Sequence, residues 1–112
     1  MVYDLESRTK IFSKHMMNFL SEIRIREINR NIISQLIKST TSIGADYCEA
    51  NNASFRKDFR NKIFICKKES QETKYCLELL AEINKEKIIQ LRLFWQEAHE
   101  LLLIFSKIIS SL

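Results

Sequence analysis

Apolar side chains along this chain recur at alternating intervals of three and four residues, which is the spacing of one face of an α-helix. Leu5, Phe12 and Phe19 lie on the first such stripe, and three further series follow it. The four series predict helices over about residues 4–23, 29–50, 59–80 and 88–112. Heptad-like helices joined by short turns are typical of an antiparallel up-down-up-down four-helix bundle, so the predicted fold is all-α.

Short polar segments separate the predicted helices and supply residues that favour helix ends. Asp4 is the predicted N-cap of the first helix, Ser54 or Asp58 caps the third, and Asn84 opens the fourth. The first turn is placed near residues 24–27, because an unbroken helix of about 50 residues is unusual in so small a chain. Gly44 falls inside the second helix, which predicts close approach by a neighbouring segment.

Composition agrees with one helical domain over residues 1–112, with no proline, one glycine and 46% hydrophobic residues. The longest uncharged apolar run, Leu101–Phe105, is too short to cross a bilayer, so no membrane partner is expected. Acids near the N-terminus are unlike a signal peptide, and the three cysteines lack C-x-x-C spacing. A cytoplasmic protein with reduced thiols is therefore expected.

The third and fourth predicted helices carry more apolar rows than one bundle core requires. A helix that is apolar nearly all round is buried nearly all round, so we expect sister copies of the chain to cover these rows. A wider core in a monomer with scattered surface hydrophobes is the alternative. The predicted oligomer interface consists of Ile65, Cys76, Leu79, Ile83, Phe94, Leu101, Ile104 and Ile108.

A polar layer crosses the seam between the second and third helices. Antiparallel pairing about the turn near Ser54 places Asp46 opposite Cys66 and Ser39 opposite Thr73. Buried polar groups need hydrogen-bond partners, so these residues predict a polar pin that sets the register of the two helices. A ligand-binding or catalytic role for Asp46 is the alternative. The predicted buried pin consists of Ser39, Asp46, Ser70 and Thr73.

Positive charge is concentrated at the start of the third helix. The chain has a net charge of +4, whereas residues 56–68 hold six cations against Asp58 alone. Because cations at a helix N-terminus oppose the helix dipole, another partner is expected for them. Phosphates of RNA or DNA, an acidic face of a sister copy, and plain solvation are the three candidates. The predicted nucleic-acid contacts are Arg56, Lys57, Arg60, Lys67 and Lys68.

Few residues of the chain suggest catalysis or metal binding. His15 and His99 fall on different predicted helices, and neither has a metal-ligand companion three or four residues away. The chain contains no glycine-rich phosphate loop and no serine-nucleophile motif. We therefore predict no catalytic residue, no metal, no cofactor and no small-molecule substrate. An enzyme that uses Asp46 and Glu49 at a subunit boundary is the alternative.

Two blocks of the sequence carry a family resemblance. Ser42–Tyr47 reads Ser-Ile-Gly-Ala-Asp-Tyr and is followed by Glu49-Ala50, and Lys68–Tyr75 contains Lys-Glu and then Glu-Thr-Lys-Tyr. These blocks resemble the "four helix bundle protein" family, also called the 23S rRNA-intervening-sequence protein family, over nearly the whole chain. The chain departs from the family pattern at Asp46, where asparagine is usual, and at Cys76, where a bulky aromatic is usual.

The resemblance implies an antiparallel four-helix bundle that assembles as a homopentamer with a central channel. It also implies a relation to the accessory variability determinant of diversity-generating retroelements, a basic pentameric bundle that binds reverse transcriptase and nucleic acid. The family brings no catalytic residues. Two functions are therefore expected as alternatives: binding of nucleic acid or a ribonucleoprotein through repeated basic patches, or a protein-only adaptor such as an accessory subunit of a reverse transcriptase.

Overall fold

Four α-helices make up the computed structural model, which describes residues 4–112. Met1–Tyr3 of the predicted domain lie outside the described residues. The helices are α1 (Leu5–Ser21), α2 (Glu27–Asn51), α3 (Arg56–Ile83) and α4 (Ile88–Ser110), and a short 3-10 helix over Lys85–Lys87 precedes α4. The all-α prediction is confirmed, and the first turn falls where it was predicted.

Contacts between the helices establish the antiparallel topology, because the partner's residue number falls as the residue number rises along the neighbouring helix. The pairs between successive helices are Ser13–Thr40, Ser39–Thr73, Ile43–Cys66, Lys74–His99 and Glu78–Trp95. Arg8 of α1 also reaches Glu97 of α4. The chain therefore runs up, down, up and down, as the heptad-like pattern predicts.

The helix ends agree with the sequence prediction only in part. Asp4 caps α1, and its carboxylate accepts a hydrogen bond from the amide of Ser7 at 3.2 Å. The prediction for α3 is wrong, because the capping position belongs to Phe55, which makes no side-chain capping bond. Asn84 precedes the 3-10 helix instead of capping α4. Its amide is held in a side-chain network described below, which explains why it does not act as a cap.

One face of each helix contributes to a single core. Its fully buried large side chains include Leu5, Met16, Leu36, Ile43, Ile63, Leu77, Leu80, Leu91, Leu101 and Phe105. Gly44 of α2 faces Thr9 of α1, and a methyl group added at Gly44 would lie 3.4 Å from the Thr9 Oγ1 atom. The close approach predicted from this glycine is therefore present, at an ordinary contact distance.

The seam between α1 and α4 is the least closed in the bundle. Helices α2 and α3 pack extensively, as do α3 and α4, whereas α1 packs mainly on α2. A groove of about 790 Å³ opens between α1 and α4, and we call it the α1–α4 groove. Its apolar walls are formed by Ile11, Phe12, Phe19, Leu93 and Phe94.

Candidate nucleic-acid interface

The five predicted nucleic-acid contacts lie on one side of α3, which we call the basic flank: Arg56, Lys57, Arg60, Lys67 and Lys68. At 3.6 residues per turn they fall within an arc of about 120°. Lys67 is half-buried and the other four are exposed. The helix therefore brings together cations that are far apart in the sequence.

No cation of the basic flank forms an ion pair with a carboxylate of the described residues. Between residues 4 and 112, ion pairs join Arg8 to Glu97 and Glu100, and Lys62 to Glu49. Lys62 lies on the opposite side of α3, facing α2, and so stands apart from the flank. Within the flank, the Arg56 guanidinium donates to the backbone oxygen of Leu112 at 2.8 Å. Lys57, Arg60 and Lys68 are exposed to solvent, and Lys67 is partly exposed.

Two exposed aromatic rings lie beside these cations and were missed at the level of the sequence. Phe64 is 41% exposed and Tyr75 is 59% exposed. The guanidinium carbon of Arg60 lies 4.9 Å from the centroid of the Phe64 ring, which is a cation–π distance. The intervals between Phe64, Lys68, Gln71 and Tyr75 are those of one helix face, and this signal could have revealed the rings.

Side chains of α3 and α4 form a groove at this flank, and we call it the α3–α4 groove. Its volume is about 610 Å³. It is lined by Phe64, Lys67, Lys68, Gln71, Glu72, Tyr75 and Leu102. Leu102 is the contribution of α4, so the groove exists only when the two helices are packed together. Aromatic, cationic and apolar groups are thereby combined on one surface.

The predicted polar pin is present without one of its members. The buried hydroxyls of Ser39 and Thr73 are 2.8 Å apart, and the buried Ser70 hydroxyl donates to the carbonyl of Cys66 at 2.8 Å. Asp46 is only half-buried, so its assignment to a buried pin is wrong. The buried position opposite α2 belongs to Cys66, whose thiol donates to the Ile43 carbonyl across 3.6 Å.

Asp46 and Glu49, the alternative catalytic pair, lie one turn apart on α2. Burial raises the pKa of Asp46, and Glu49 raises it further, whereas Lys62 acts in the opposite direction. The cysteine between them, Cys48, is exposed, with its thiol 3.7 Å from Glu6. Asp46 and Glu49 thus form a carboxylate pair at the edge of the bundle.

A buried amide pair at the end of the bundle was also missed. Asn29 is fully buried, and its amide donates to the carbonyl of Arg24 at 3.1 Å and to the side-chain oxygen of Asn84 at 3.2 Å. Asn84 in turn donates to Glu86 at 2.8 Å. The pair joins the turn before α2 to the turn before α4. The sequence pattern had instead placed Asn29 in an apolar series.

A polar and aromatic cluster links α3 to α4. The buried Lys74 amine lies 3.0 Å from Nδ1 of His99 and 4.5 Å from the centroid of the Trp95 ring. Trp95 stacks on His99 and donates to the Glu78 carboxylate at 2.9 Å. His99, considered in the sequence only as a metal ligand, is thus a hydrogen-bond partner of a lysine.

The structure redistributes the residues predicted to form the oligomer interface. Cys76, Leu101 and Ile104 are buried in the protomer itself, so they cannot meet a sister copy, and that part of the prediction is wrong. Ile65 and Leu79 are exposed, whereas Ile83, Phe94 and Ile108 are half-buried. The reason is that Leu101 and Ile104 lie on the buried face of α4, and Cys76 lies on the buried face of α3. The most exposed apolar side chains of α4 are Ile89, Leu93 and Leu103.

Two further findings concern residues 4–112 as a whole. No three or more of their histidine, cysteine, aspartate or glutamate side chains are grouped so that they could hold a metal ion. In this part of the chain, no helix combines the length and the apolarity that crossing a membrane requires.

The fold and surfaces described above coincide with a family match over residues 7–107, to the model of the 23S rRNA-intervening sequence protein. The chain belongs to this family. The match spans all four helices, the basic flank and both grooves. The resemblance seen in the sequence blocks is therefore confirmed.

A solved relative supports the assignment to the intervening-sequence family. It is the crystal structure of a protein with unknown function from the S23 ribosomal protein family, from Bacteroides thetaiotaomicron. The two chains are 30% identical, with a TM-score of 0.81 over 93% of this chain and 96% of that one. No protein among the curated sequences is significantly similar to this family member.

Proposed function

We propose that this member of the 23S rRNA-intervening sequence protein family is a non-enzymatic, homo-oligomeric helical bundle that binds nucleic acid or a ribonucleoprotein. The observation that carries the proposal is the basic flank: five cations within one arc of α3, none of them ion-paired with a described carboxylate. Phosphate contacts of this kind are independent of base sequence and weaken steeply with added salt.

Assembly multiplies the effect of one flank. A single copy presents only a few cations, whereas an oligomer repeats them, and linked weak contacts gain affinity through effective concentration. A homopentamer is the assembly that the family resemblance implies, and we adopt it for this chain. Light scattering in solution tests the subunit number directly, and a single 13.3 kDa particle would contradict the proposal.

The α1–α4 groove and the adjoining apolar side chains of α4 are the proposed contact between copies. Ile89 is 71% exposed and Leu93 is 68% exposed, and Leu93 also forms a wall of the groove. Exposed apolar surface of this kind marks contact sites in small proteins. We expect Leu93→Glu to reduce the particle mass, whereas Leu103→Glu, the same change at another exposed leucine of α4 outside the groove, leaves the mass unchanged.

Nucleic-acid binding is tested with a fluorescent RNA and DNA over a series of salt concentrations. Arg60→Glu combined with Lys67→Glu should abolish most of the binding, because it reverses two charges of the flank. Lys10→Glu combined with Lys14→Glu is the control, since it makes the same charge change on exposed positions of α1. Binding without salt dependence, or equal loss in both double variants, would contradict the proposal.

A protein-only adaptor is the second candidate, and the α1–α4 groove favours it. A groove of about 790 Å³ with apolar walls also suits the apolar face of a partner helix. A reverse transcriptase is the partner that the resemblance implies. Capture of such a protein that survives nuclease treatment, and that is lost in Leu93→Glu but retained in Arg60→Glu with Lys67→Glu, would favour this candidate over the first.

A further inference from the structure

We infer that the basic flank and the α3–α4 groove bind single-stranded nucleic acid, with Phe64 and Tyr75 stacking on unpaired bases while the lysines hold the phosphates. The inference rests on the proposed function and narrows its ligand from nucleic acid in general to unpaired strands. Three observations carry it: the line of the rings along α3, their exposure, and the charge around them.

The two rings are arranged along one line of the helix surface. Phe64 and Tyr75 are eleven residues apart, which is about 16 Å along the axis of α3. Lys67, Lys68 and Gln71 lie between them on the same flank and line the same groove. A strand that follows this line meets a ring, then cations and an amide, and then a second ring.

Exposure leaves ring surface of both side chains available for stacking, although the Arg60 guanidinium lies over the Phe64 ring. Tyr75 is 59% exposed and Phe64 is 41% exposed, although both are large apolar side chains. Leu102 of α4 supplies an apolar wall beside them. Every base has a π-face, so base–aromatic stacking tolerates any sequence. In a duplex those faces are covered by neighbouring base pairs, and therefore only an unpaired strand can use these rings.

Charge at the groove suits a phosphate backbone and limits its path. The residues lining the groove include two cations, Lys67 and Lys68, and one acid, Glu72. Arg60 adds a guanidinium over the Phe64 ring. Farther along α3, beyond Tyr75, the same flank carries Glu78 and Glu82. Cations thus end where acids begin, which confines the bound strand to the part of α3 between Lys57 and Tyr75, about 27 Å long.

Two kinds of variant distinguish the contribution of stacking to binding from the contribution of charge. Tyr75→Leu keeps an apolar side chain but removes the ring, and Tyr75→Phe keeps the ring and serves as its matched control. For a labelled single strand we expect Tyr75→Leu to weaken binding about tenfold, as for the loss of one stacked base, and Tyr75→Phe to leave it unchanged. Lys67→Gln combined with Lys68→Gln should instead flatten the salt dependence.

The ligand itself is tested with single-stranded RNA, single-stranded DNA and a duplex of the same sequence. We expect either single strand to bind at least tenfold more tightly than the duplex at one salt concentration. The RNA and DNA arms show which strand is preferred. A 2-aminopurine base in the strand should lose fluorescence on binding to the wild type and to Tyr75→Phe, and less on binding to Tyr75→Leu.

The outcomes distinguish this inference from the function on which it rests. Equal binding of single strands and duplex, with salt dependence retained, overturns the inference and leaves the proposed function intact. Absence of nucleic-acid binding overturns both. A change in particle mass in Tyr75→Leu or in the lysine variant identifies the flank as a contact between copies and likewise overturns both. Both rings are exposed, so circular dichroism should show all variants folded.

Discussion

Asp46 is a half-buried acidic residue of α2 that interacts electrostatically with Lys62 of α3. Burial raises the pKa of its carboxyl first, and the neighbouring Glu49 raises it further. A carboxyl whose pKa is higher in the folded state contributes stability below its unfolded pKa, and this contribution is lost as the pH rises through the folded pKa. At neutral pH the ionised side chain therefore lowers the stability of the bundle.

We predict that Asp46→Asn raises the free energy of unfolding at neutral pH. The gain should be below about 1 kcal/mol, because the side chain stays partly in water. It should vanish in acid, where Asp46 is protonated in both states. Urea denaturation at the two pH values checks this, with Asp58→Asn as an exposed control. Greater stability of the wild type at neutral pH would contradict the prediction.

Thr40 buries a hydroxyl that has no hydrogen-bond partner among residues 4–112. Valine has nearly the same shape, and removing an unsatisfied buried polar group recovers its desolvation penalty. Thr40→Val should therefore stabilise the protein by about 1 kcal/mol. Thr73→Val, which removes a buried hydroxyl that is bonded to Ser39, should have the opposite sign. Thermal unfolding of the two variants tests this prediction, and a loss of stability in Thr40→Val would contradict it.

At the scale of helix pairs, the Ser39–Thr73 bond joins α2 to α3 inside the core. Its 2.8 Å contact is the only part of the predicted pin that crosses the seam between two side chains. Each single change, Ser39→Ala or Thr73→Val, should lower the free energy of unfolding by about 1 kcal/mol. The double variant should lose less than the sum, since the second change removes a group already unpaired. Strict additivity in a double-mutant cycle would show that the bond does not couple the helices.

Helices α1 and α4 are joined by an ion pair in addition to aromatic packing. Arg8 donates to both carboxylate oxygens of Glu97 at 2.7 Å, and to Glu100 at 3.1 Å. The hydrogen bonds to Glu97 raise the pKa of Arg8 above its usual value. We expect Glu97→Gln to speed amide hydrogen exchange in α1 selectively, because the lost ion pair joins α1 to α4 at the least closed seam of the bundle.

Hydrogen exchange read by mass spectrometry measures that change helix by helix. The global loss should stay within about 1 kcal/mol, as for other partly exposed ion pairs. Glu100→Gln, which removes the longer and more exposed contact, should have the smaller effect. Equal acceleration in all four helices would indicate global destabilisation and contradict a local role for the pair.

At the scale of the whole molecule, the reactivity of the cysteine thiols shows whether the core is packed. Burial raises the pKa of Cys66 to about 12, and Asp46 contributes to the increase, while burial also raises the pKa of Cys76. We expect a thiol reagent to modify exposed Cys48 in the native protein, and Cys66 and Cys76 only after unfolding. Rapid labelling of Cys66 in the native state would contradict the packed core.

The same pKa shift predicts how stability depends on pH. A neutral Cys66 thiol contributes fully below 9.0, its ordinary pKa, and the contribution is lost as the pH rises towards about 12. The free energy of unfolding of the wild type should therefore fall as the pH rises across this alkaline range. The free energy of unfolding of Cys66→Ala should fall less steeply. An identical slope in both proteins would remove Cys66 as the cause.

Particular residues show what could be predicted at each scale. Asp4 and the Ser39–Thr73 pair were predicted correctly, because a cap depends on local sequence and an antiparallel turn sets which positions oppose each other. Phe55 at the start of α3 was missed, since its capping position carries no side-chain signal. Leu101 was assigned to an interface and lies in the core, because periodicity alone cannot count how many neighbours a helix will have.

The sequence by itself determined four helices, their order and the basic flank, because a 3.6-residue period places cations of one helix on one side whatever packs elsewhere. Tertiary structure decided which apolar rows are covered and which stay exposed, as the contrast between buried Leu101 and exposed Leu93 shows. It also decided that Leu102 of α4 completes the groove beside Phe64 and Tyr75. Burial depends on the rotation and spacing of neighbouring helices, and those arise only when the helices pack together.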